Sequence, residues 1–192
     1  EFFTISKKTG KNYNDLTVSV GHDSRVSADR IRNAVISVVS QMGVNVLNCS
    51  YCSTPAMFMT TVELGCDGAV QITASHHPKD RNGLKFFTRD GGLDGKDIAD
   101  ILTDAGKIEN PLGNMNGECI PCDFMKRYAE ILRDMIKNGV GNDRPLEGMK
   151  IVVDAGNGVG GFYAHDVLAP LGADIEGSIF LEPDGNFPNH AP

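Results

Sequence analysis

Long apolar runs and basic residues are both scarce in this sequence. No stretch approaches the roughly 20 consecutive apolar residues that cross a bilayer as a helix, so a helical membrane protein is excluded. Eighteen Lys and Arg stand against 25 Asp and Glu, a net charge of −7. That balance excludes a general polyanion-binding surface, and with it nucleic acid as a main partner, although a local anion pocket stays open. Cysteine is sparse too, with five residues that lack the dense, even pattern of secreted miniproteins, so a disulfide scaffold is excluded and a reducing compartment is expected. Collagen triplets and coiled-coil heptads are missing as well. An initiating methionine is absent, Glu1 standing in its place, so targeting signals cannot be read. The expected location is the cytoplasm or the interior of an organelle such as a plastid. What is present is 41% hydrophobic residues and 22 glycines in 192 residues, enough for one domain plus part of another.

The pattern along the chain is that of an α/β protein. Leu16–Val20 reads as a buried strand that empties into Gly21-His22-Asp23-Ser24-Arg25. Ser27 then caps a helix whose face is Ile31, Ala34, Val35, Val38, Val39 and Met42, stopped by Gly43. Val44–Leu47 is a second strand, Thr54-Pro55 opens a shorter helix, and Gly68–Thr73 is a third strand ending in Ala74-Ser75-His76-His77-Pro78. Asp80-Arg81-Asn82-Gly83 makes a tight turn into a strand over Leu84–Thr88, and Asp94 caps a helix through Ala105. Residues 107–122 read as a surface loop, Phe124–Ile136 as an amphipathic helix, and 138–149 as a linker. A second unit begins beyond it: strand Ile151–Asp154, a glycine loop to Gly161, helix Phe162–Leu171 and strand Ala173–Phe180. The expected architecture is a mixed, mostly parallel sheet flanked by helices, in a domain over residues 1–140 with an incomplete second α/β domain over 150–192.

The chemistry concentrates where the third strand ends. Ser75 sits on a loop rich in backbone donors, with Lys85 close by across a turn. A serine there can carry a phosphoryl group if donors and cations hold the dianion, and a lysine near other cations can act as acid/base. By residue type alone the plain reading is a loop serine and an exposed strand lysine.

The run Thr-Ala-Ser-His-His-Pro followed by Asn-Gly-Leu-Lys resembles the phosphoserine loop of the α-D-phosphohexomutases, the phosphoglucomutase/phosphomannomutase family, whose usual form is Thr-Ala-Ser-His-Asn-Pro with Asn-Gly-x-Lys. Gly21-His22-Asp23-Ser24-Arg25 is similar to the family's Gly-x-Asp-x-Arg, and Ser53-Thr54-Pro55 to its Pro/Ser-Thr-Pro. Residues 152–161 resemble the start of the family's second domain, and 183–190 a later loop of it. The resemblance implies an isomerase that moves phosphate between C1 and C6 of a hexose phosphate, glucose or mannose, through a phosphoserine and a hexose bisphosphate. It implies Ser75 as carrier and, through its phosphate, as a Mg²⁺ ligand, His76 as phosphate support, and Lys85 as acid/base. It further implies Asp23, Arg25, His77 and Asn82 as supports for the loops and the substrate.

The departures from the family pattern set a rival reading. His77 replaces the usual Asn, and the family's Asp-Gly-Asp-x-Asp-Arg metal loop, its sugar-recognition segments and its upstream catalytic Arg do not occur among the 192 residues. The expectation is therefore that these residues alone do not turn over. The alternative is a mutase-derived structural or interaction subunit with a protein partner. Two further motifs are set aside. Gly156-x-Gly158-x-x-Gly161 matches a dinucleotide fingerprint, but Glu176 would fall mid-strand rather than at a strand end. The pairs Cys49/Cys52 and Cys119/Cys122 lie far apart in sequence without an adjacent His, and read as ordinary core or loop cysteines rather than zinc ligands or a redox pair.

Overall fold

The computed structural model describes residues 2–107 and 115–191. Helix α1 (Phe2–Thr9) opens the chain, in a stretch where the sequence reading assigned nothing, and drives Ile5 fully into the core. Strand β1 (Thr17–His22) follows, then α2 (Ala28–Gln41), β2 (Asn45–Tyr51), α3 (Thr54–Glu63) and β3 (Gly68–Ile72). After a loop come β4 (Leu84–Thr88), the two-residue β5 (Gly91–Gly92), α4 (Gly95–Ala105), β6 (Cys119–Pro121) and α5 (Phe124–Val140). The strands form one sheet in the order β5-β4-β3-β1-β2-β6. β1 runs parallel to β2 and β3, and β2 parallel to β6, whereas β4 is antiparallel to β3 and β5. This is the mixed, mostly parallel sheet flanked by helices that the sequence predicts.

Both faces of the central strands are covered, so β3 is buried at every position and β1 at all but its first. On one face Val18, Val20, Val46, Val70 and Ile72 meet Ile5 of α1 and Ala28 and Val39 of α2. On the other, Ala69 and Cys49 meet Ala56 and Met57 of α3 and Phe124 and Tyr128 of α5. The approach there is close: a Cβ on Gly21 would lie 2.5 Å from Met57 Sδ and 2.9 Å from Cys52 Cβ, so a larger residue would have to displace both side chains.

Chain order creates a crevice. From β1 the chain crosses through α2 to β2 on one side, and from β2 through α3 to β3 on the other. The connections part company at the carboxyl ends of β1 and β3, the topological switch point where open α/β sheets bind ligands.

Three expectations need correction. Ser27 does not cap α2 through its side chain; it is itself helical (φ −84°, ψ −10°), and its hydroxyl accepts a hydrogen bond from Asn82 instead. Caps do form at Ser53, whose Oγ accepts from Ala56 N, and at Asp94, which accepts from Asp97 N. Within the expected loop 107–122, residues 108–114 lie outside the described residues and Cys119–Pro121 is an edge strand, because β2 offers it free backbone groups. The expected second-unit strands reduce to single parallel bridges, Lys150↔Asp174 and Asp154↔Ile179. A turn over Ile175–Ser178, with Gly177 at φ +93°, interrupts the pairing, and Ser178 Oγ takes the Val153 N–H that a continuous ladder would bond to a carbonyl. The helix between them is a short 3-10 turn, Val159–Gly161, followed by a π-type turn, Tyr163–Leu168.

This last segment is anchored to the sheet region. Val167 and Leu171 bury against Ala129 of α5, and Gly185 pairs with Arg25 in a parallel bridge. A Cβ on Gly185 would lie 2.2 Å from Ser24 O, so glycine is required at that contact.

Candidate active site

The loop after β3 starts from a buried strand and comes straight to the surface: Thr73 is buried, while Ser75 to Asp80 are exposed. Ser75 adopts φ +56°, the left-handed region that a non-glycine residue enters at a cost of roughly 1–2 kcal/mol. Two bonds hold it there. Its N–H donates to Thr73 Oγ1 (3.0 Å), and its carbonyl accepts from Arg25 Nη2 (2.9 Å).

Arg25 organises the loop. Its side chain is fully buried, and each of its five N–H groups has an acceptor. Nε donates to Asp23 Oδ2 (3.1 Å), Nη1 to Pro78 O (2.5 Å) and Arg81 O (3.2 Å), and Nη2 to Ser75 O and to His77 O (2.7 Å). The Phe187 ring lies over the guanidinium, 5.6 Å from its carbon to the ring centroid. Asp23 closes the circuit, its Oδ2 also accepting from Thr73 Oγ1 at 2.7 Å and its Oδ1 from Arg25 N. Asp23, Thr73, Ser75 and Arg25 thus form a closed ring of hydrogen bonds around the backbone of one serine.

Ser75 Oγ is left facing solvent, 3.3 Å from His76 Nδ1. The His76 and His77 rings stack with centroids 5.0 Å apart. Asn82 pins the returning turn, accepting from Gly83 N and donating to Ser27 Oγ. Lys85 stands on β4, registered opposite Gln71, exposed and with no ion pair among the described residues. Ser75, His77, Arg81, Asn82 and Lys85 line one open groove of ≈ 690 Å³. The seven residues singled out from sequence therefore converge on the switch-point crevice. Thr73, Ser27 and Phe187 join them, although the sequence gives none of the three a place in the site. A hydroxyl two residues before Ser75 carries a signal only once the left-handed turn is known.

Behind the site His22 is buried. Its Nδ1 donates to Asp23 O (2.7 Å), which leaves Nε2 to accept from Arg32 Nη1 (3.0 Å), and burial pushes its pKa below the ordinary value.

These residues do not make a Mg²⁺ site by themselves. Magnesium prefers an octahedron of hard oxygens, yet both Asp23 oxygens are spent on Arg25 and Thr73, and Ser75 Oγ is a lone neutral hydroxyl. Among the described residues no cluster of three or more His, Cys, Asp or Glu is arranged to hold a metal.

The glycines of the 156–161 motif have a packing role. A Cβ on Gly161 would lie 1.9 Å from Leu181 O, and one on Gly156, at φ +54°, 2.6 Å from the His190 ring. Glu176 falls in the 175–178 turn rather than mid-strand. Although the two C-x-x-C pairs lie far apart in sequence, β6 brings Cys122 to the cluster that holds Cys49 and Cys52. Among the described residues no helix is long and apolar enough to cross a membrane.

Residues 2–111 match the family model of phosphoglucomutase/phosphomannomutase, alpha/beta/alpha domain I. A probable phosphoglucosamine mutase of Methanopyrus kandleri is 34% identical over 180 residues, which cover 92% of this chain and 38% of that protein. A phosphoglucomutase of Neisseria gonorrhoeae is 32% identical over 175 residues, 91% of this chain and 36% of that one. Among solved structures, a phosphoglucomutase/phosphomannomutase family protein of Burkholderia thailandensis superposes with a TM-score of 0.74 at 26% identity, covering 98% of this chain and 42% of the other. The chain thus spans well under half the length of the relatives it matches.

Proposed function

The chain belongs to the phosphoglucomutase/phosphomannomutase family, and from that premise we propose that Ser75 carries the phosphoryl group in a reversible mutase reaction on a hexose phosphate. The observation that carries this reading is the Ser75 backbone, strained and clamped from both sides while its hydroxyl is left open to the groove. A residue that only made a turn would relax; one that must present its oxygen in a fixed direction repays being held.

In the forward step a hydroxyl of the hexose monophosphate attacks phosphorus on phosphorylated Ser75. The new P–O bond forms as the P–Oγ bond breaks, and the hydroxyl proton passes by way of Lys85 at the groove wall to the departing Ser75 Oγ, which leaves as a hydroxyl. The resulting bisphosphate reorients, and its other phosphate returns to Ser75. His76 supports the phosphate from beside Oγ. Arg25, with Asp23, fixes the loop without touching the phosphate, since all its donors are spent on the protein. His77 and Asn82 shape the groove floor. Mg²⁺ dependence is proposed for the whole protein by family membership only, and no step is derived through the metal. The sugar is glucose, mannose or glucosamine phosphate, the three substrates named among the relatives.

The test is made on the full-length protein with a hexose 1,6-bisphosphate activator. Ser75→Ala removes turnover and the covalent phosphate seen by intact mass, whereas Lys85→Ala slows turnover by about 10²–10⁴-fold and leaves the phosphate in place. A native protein with no phosphate on Ser75 and no turnover on any of the three sugars supports a non-catalytic subunit instead.

A further inference from the structure

The two C-x-x-C pairs play no part in phosphoryl transfer, yet they meet at the β2–β6 edge. Asn48 and Pro121 are the last registered partners, and Cys122 N donates to Asn48 O at 2.9 Å, so Cys49 and Cys122 follow directly on a paired position, Cys49 as the residue at which β2 bulges against β1. Neighbouring strands run about 4.8 Å apart, inside the roughly 4.4–6.8 Å between Cα atoms that a disulfide spans. Cys122 packs against the buried cluster that holds Cys49 and Cys52. Both thiols are free and line an open cavity of ≈ 470 Å³ walled by Met125, Phe162 and Pro183. Cys122 is partly exposed there, whereas Cys52 is fully enclosed, its Sγ 3.6 Å from Met125 Sδ.

We propose that Cys49 and Cys122 form a dithiol that closes to a disulfide when a small-molecule disulfide of the glutathione class reaches this cavity. Cys122, the accessible member, gives up its proton and attacks one sulfur of oxidised glutathione. That S–S bond breaks, one glutathione leaves and takes the proton, and Cys122 carries the other. Cys49 then gives up its proton and attacks Cys122 Sγ, expelling the second glutathione as a thiol. Two protein thiols are oxidised and one external disulfide is reduced to two thiols. Cys49 is buried and its pKa is pushed up by that burial and then by the neighbouring thiols, so the partly exposed Cys122 is the thiol that meets the external disulfide first. The bridge would pin the three-residue edge strand and the start of α5 to β2, beside Phe162 of the C-terminal segment. This inference does not depend on the mutase reading.

The experiment incubates the native protein with oxidised glutathione in a Cys119→Ser background, because that exposed thiol takes glutathione on its own. The expected product loses about 2 Da and carries no adduct, and dithiothreitol reverses the change. Cys49→Ser should stop at one glutathione on Cys122, Cys122→Ser should neither bridge nor take an adduct, and Cys52→Ser should still bridge. A serine at a buried position can unfold a chain, so a second readout uses the protein with Cys49, Cys52 and Cys122 intact: oxidation should raise its Tm by at least about 5 °C, reversibly. A product with adducts only, an unchanged Tm, a bridge that survives Cys49→Ser, or a bridge that survives Cys122→Ser and vanishes in Cys52→Ser overturns the proposal.

Discussion

Residues 17–88 and residues 150–181 both pair strands in parallel, yet the first region builds continuous ladders and the second only two single bridges. The sequences look alike, Thr17–His22 and Gly68–Ile72 in one, Ile151–Asp154 and Ala173–Phe180 in the other. The difference lies in what covers them. β3 is buried at every position because helices lie on both faces of the sheet, whereas Val152 and Ile179 remain 56% and 43% exposed. Where no second layer covers a strand, a local turn at Gly177 and a serine hydroxyl compete successfully for its backbone groups. The same contrast holds for charge. Arg25 is a fully buried cation with five protein acceptors, and the pair Asp154–His190 (3.1 Å) is half-exposed in the second region.

That contrast predicts the largest effect. Arg25→Met leaves the partly buried Asp23 without its cation and strips four carbonyls of their donor, and should cost about 3–5 kcal/mol in urea unfolding. His190→Gln should leave the urea midpoint unchanged. Equal shifts for the two would erase the distinction between regions.

Next in size is the joint between them. Gly185→Ala pushes a methyl into the backbone of Ser24 and Val26. It should cost about 1–3 kcal/mol and speed trypsin cleavage at Arg144 and Lys150. Gly160→Ala, whose added Cβ meets nothing within 4 Å, is the control and should change neither. Unaltered cleavage in Gly185→Ala would mean that the 150–191 segment does not rely on this joint, which would weaken the division near residues 141–149 as we propose it.

Of the same size is Thr73→Val, which keeps the shape but leaves the Ser75 N–H without its acceptor. A loss of about 1–3 kcal/mol is expected, with Thr73→Ser close to wild type. Should Thr73→Val match wild type, the Ser75 conformation is held by Arg25 alone.

How much of this was legible beforehand follows from the same physics. The central strands, α2, α3 and α5 could be read because apolar spacing reports burial directly, and the loop motifs could be read because a phosphoryl site needs a particular set of side chains. Thr73 could not be singled out, since nothing in a threonine before Ala74-Ser75 announces that its hydroxyl will serve two partners at once. Ser27 looked like a cap, and its oxygen is in fact claimed by Asn82, distant in sequence. β6 was hidden because three exposed residues carry no periodicity, and their strand character comes entirely from the free edge of β2. The meeting of Cys49 with Cys122 was hidden with it.

The smallest effect contrasts two histidines whose shifts have opposite signs. Burial, the leading cause, holds the pKa of His22 below its ordinary value of 6.5, with Arg32 reinforcing the shift and Asp29 and the Asp23 carbonyl opposing it. As pH falls through about 6.5 the unfolded chain takes up a proton on this ring while the folded chain does not. The unfolded state therefore binds more protons, and His22 withdraws stability progressively from about pH 6.5 down to its lower folded value. His190 runs the other way. The Ala191 carbonyl, and then Asp154, raise its pKa, so its contribution is fully present below about 6.5 and is lost as pH rises through the folded value. Asp154, whose pKa is lowered, stays ionised throughout that range. Urea midpoints at pH 7.5 and 5.5 should thus show the wild-type protein weaker at the lower pH and His22→Gln with a flatter dependence, whatever its absolute stability. His190→Gln should be the same as wild type or slightly steeper, since an exposed pair is screened by solvent. If His22→Gln keeps the full wild-type slope, the acid sensitivity belongs to other groups and the buried tautomer assigned to His22 is wrong.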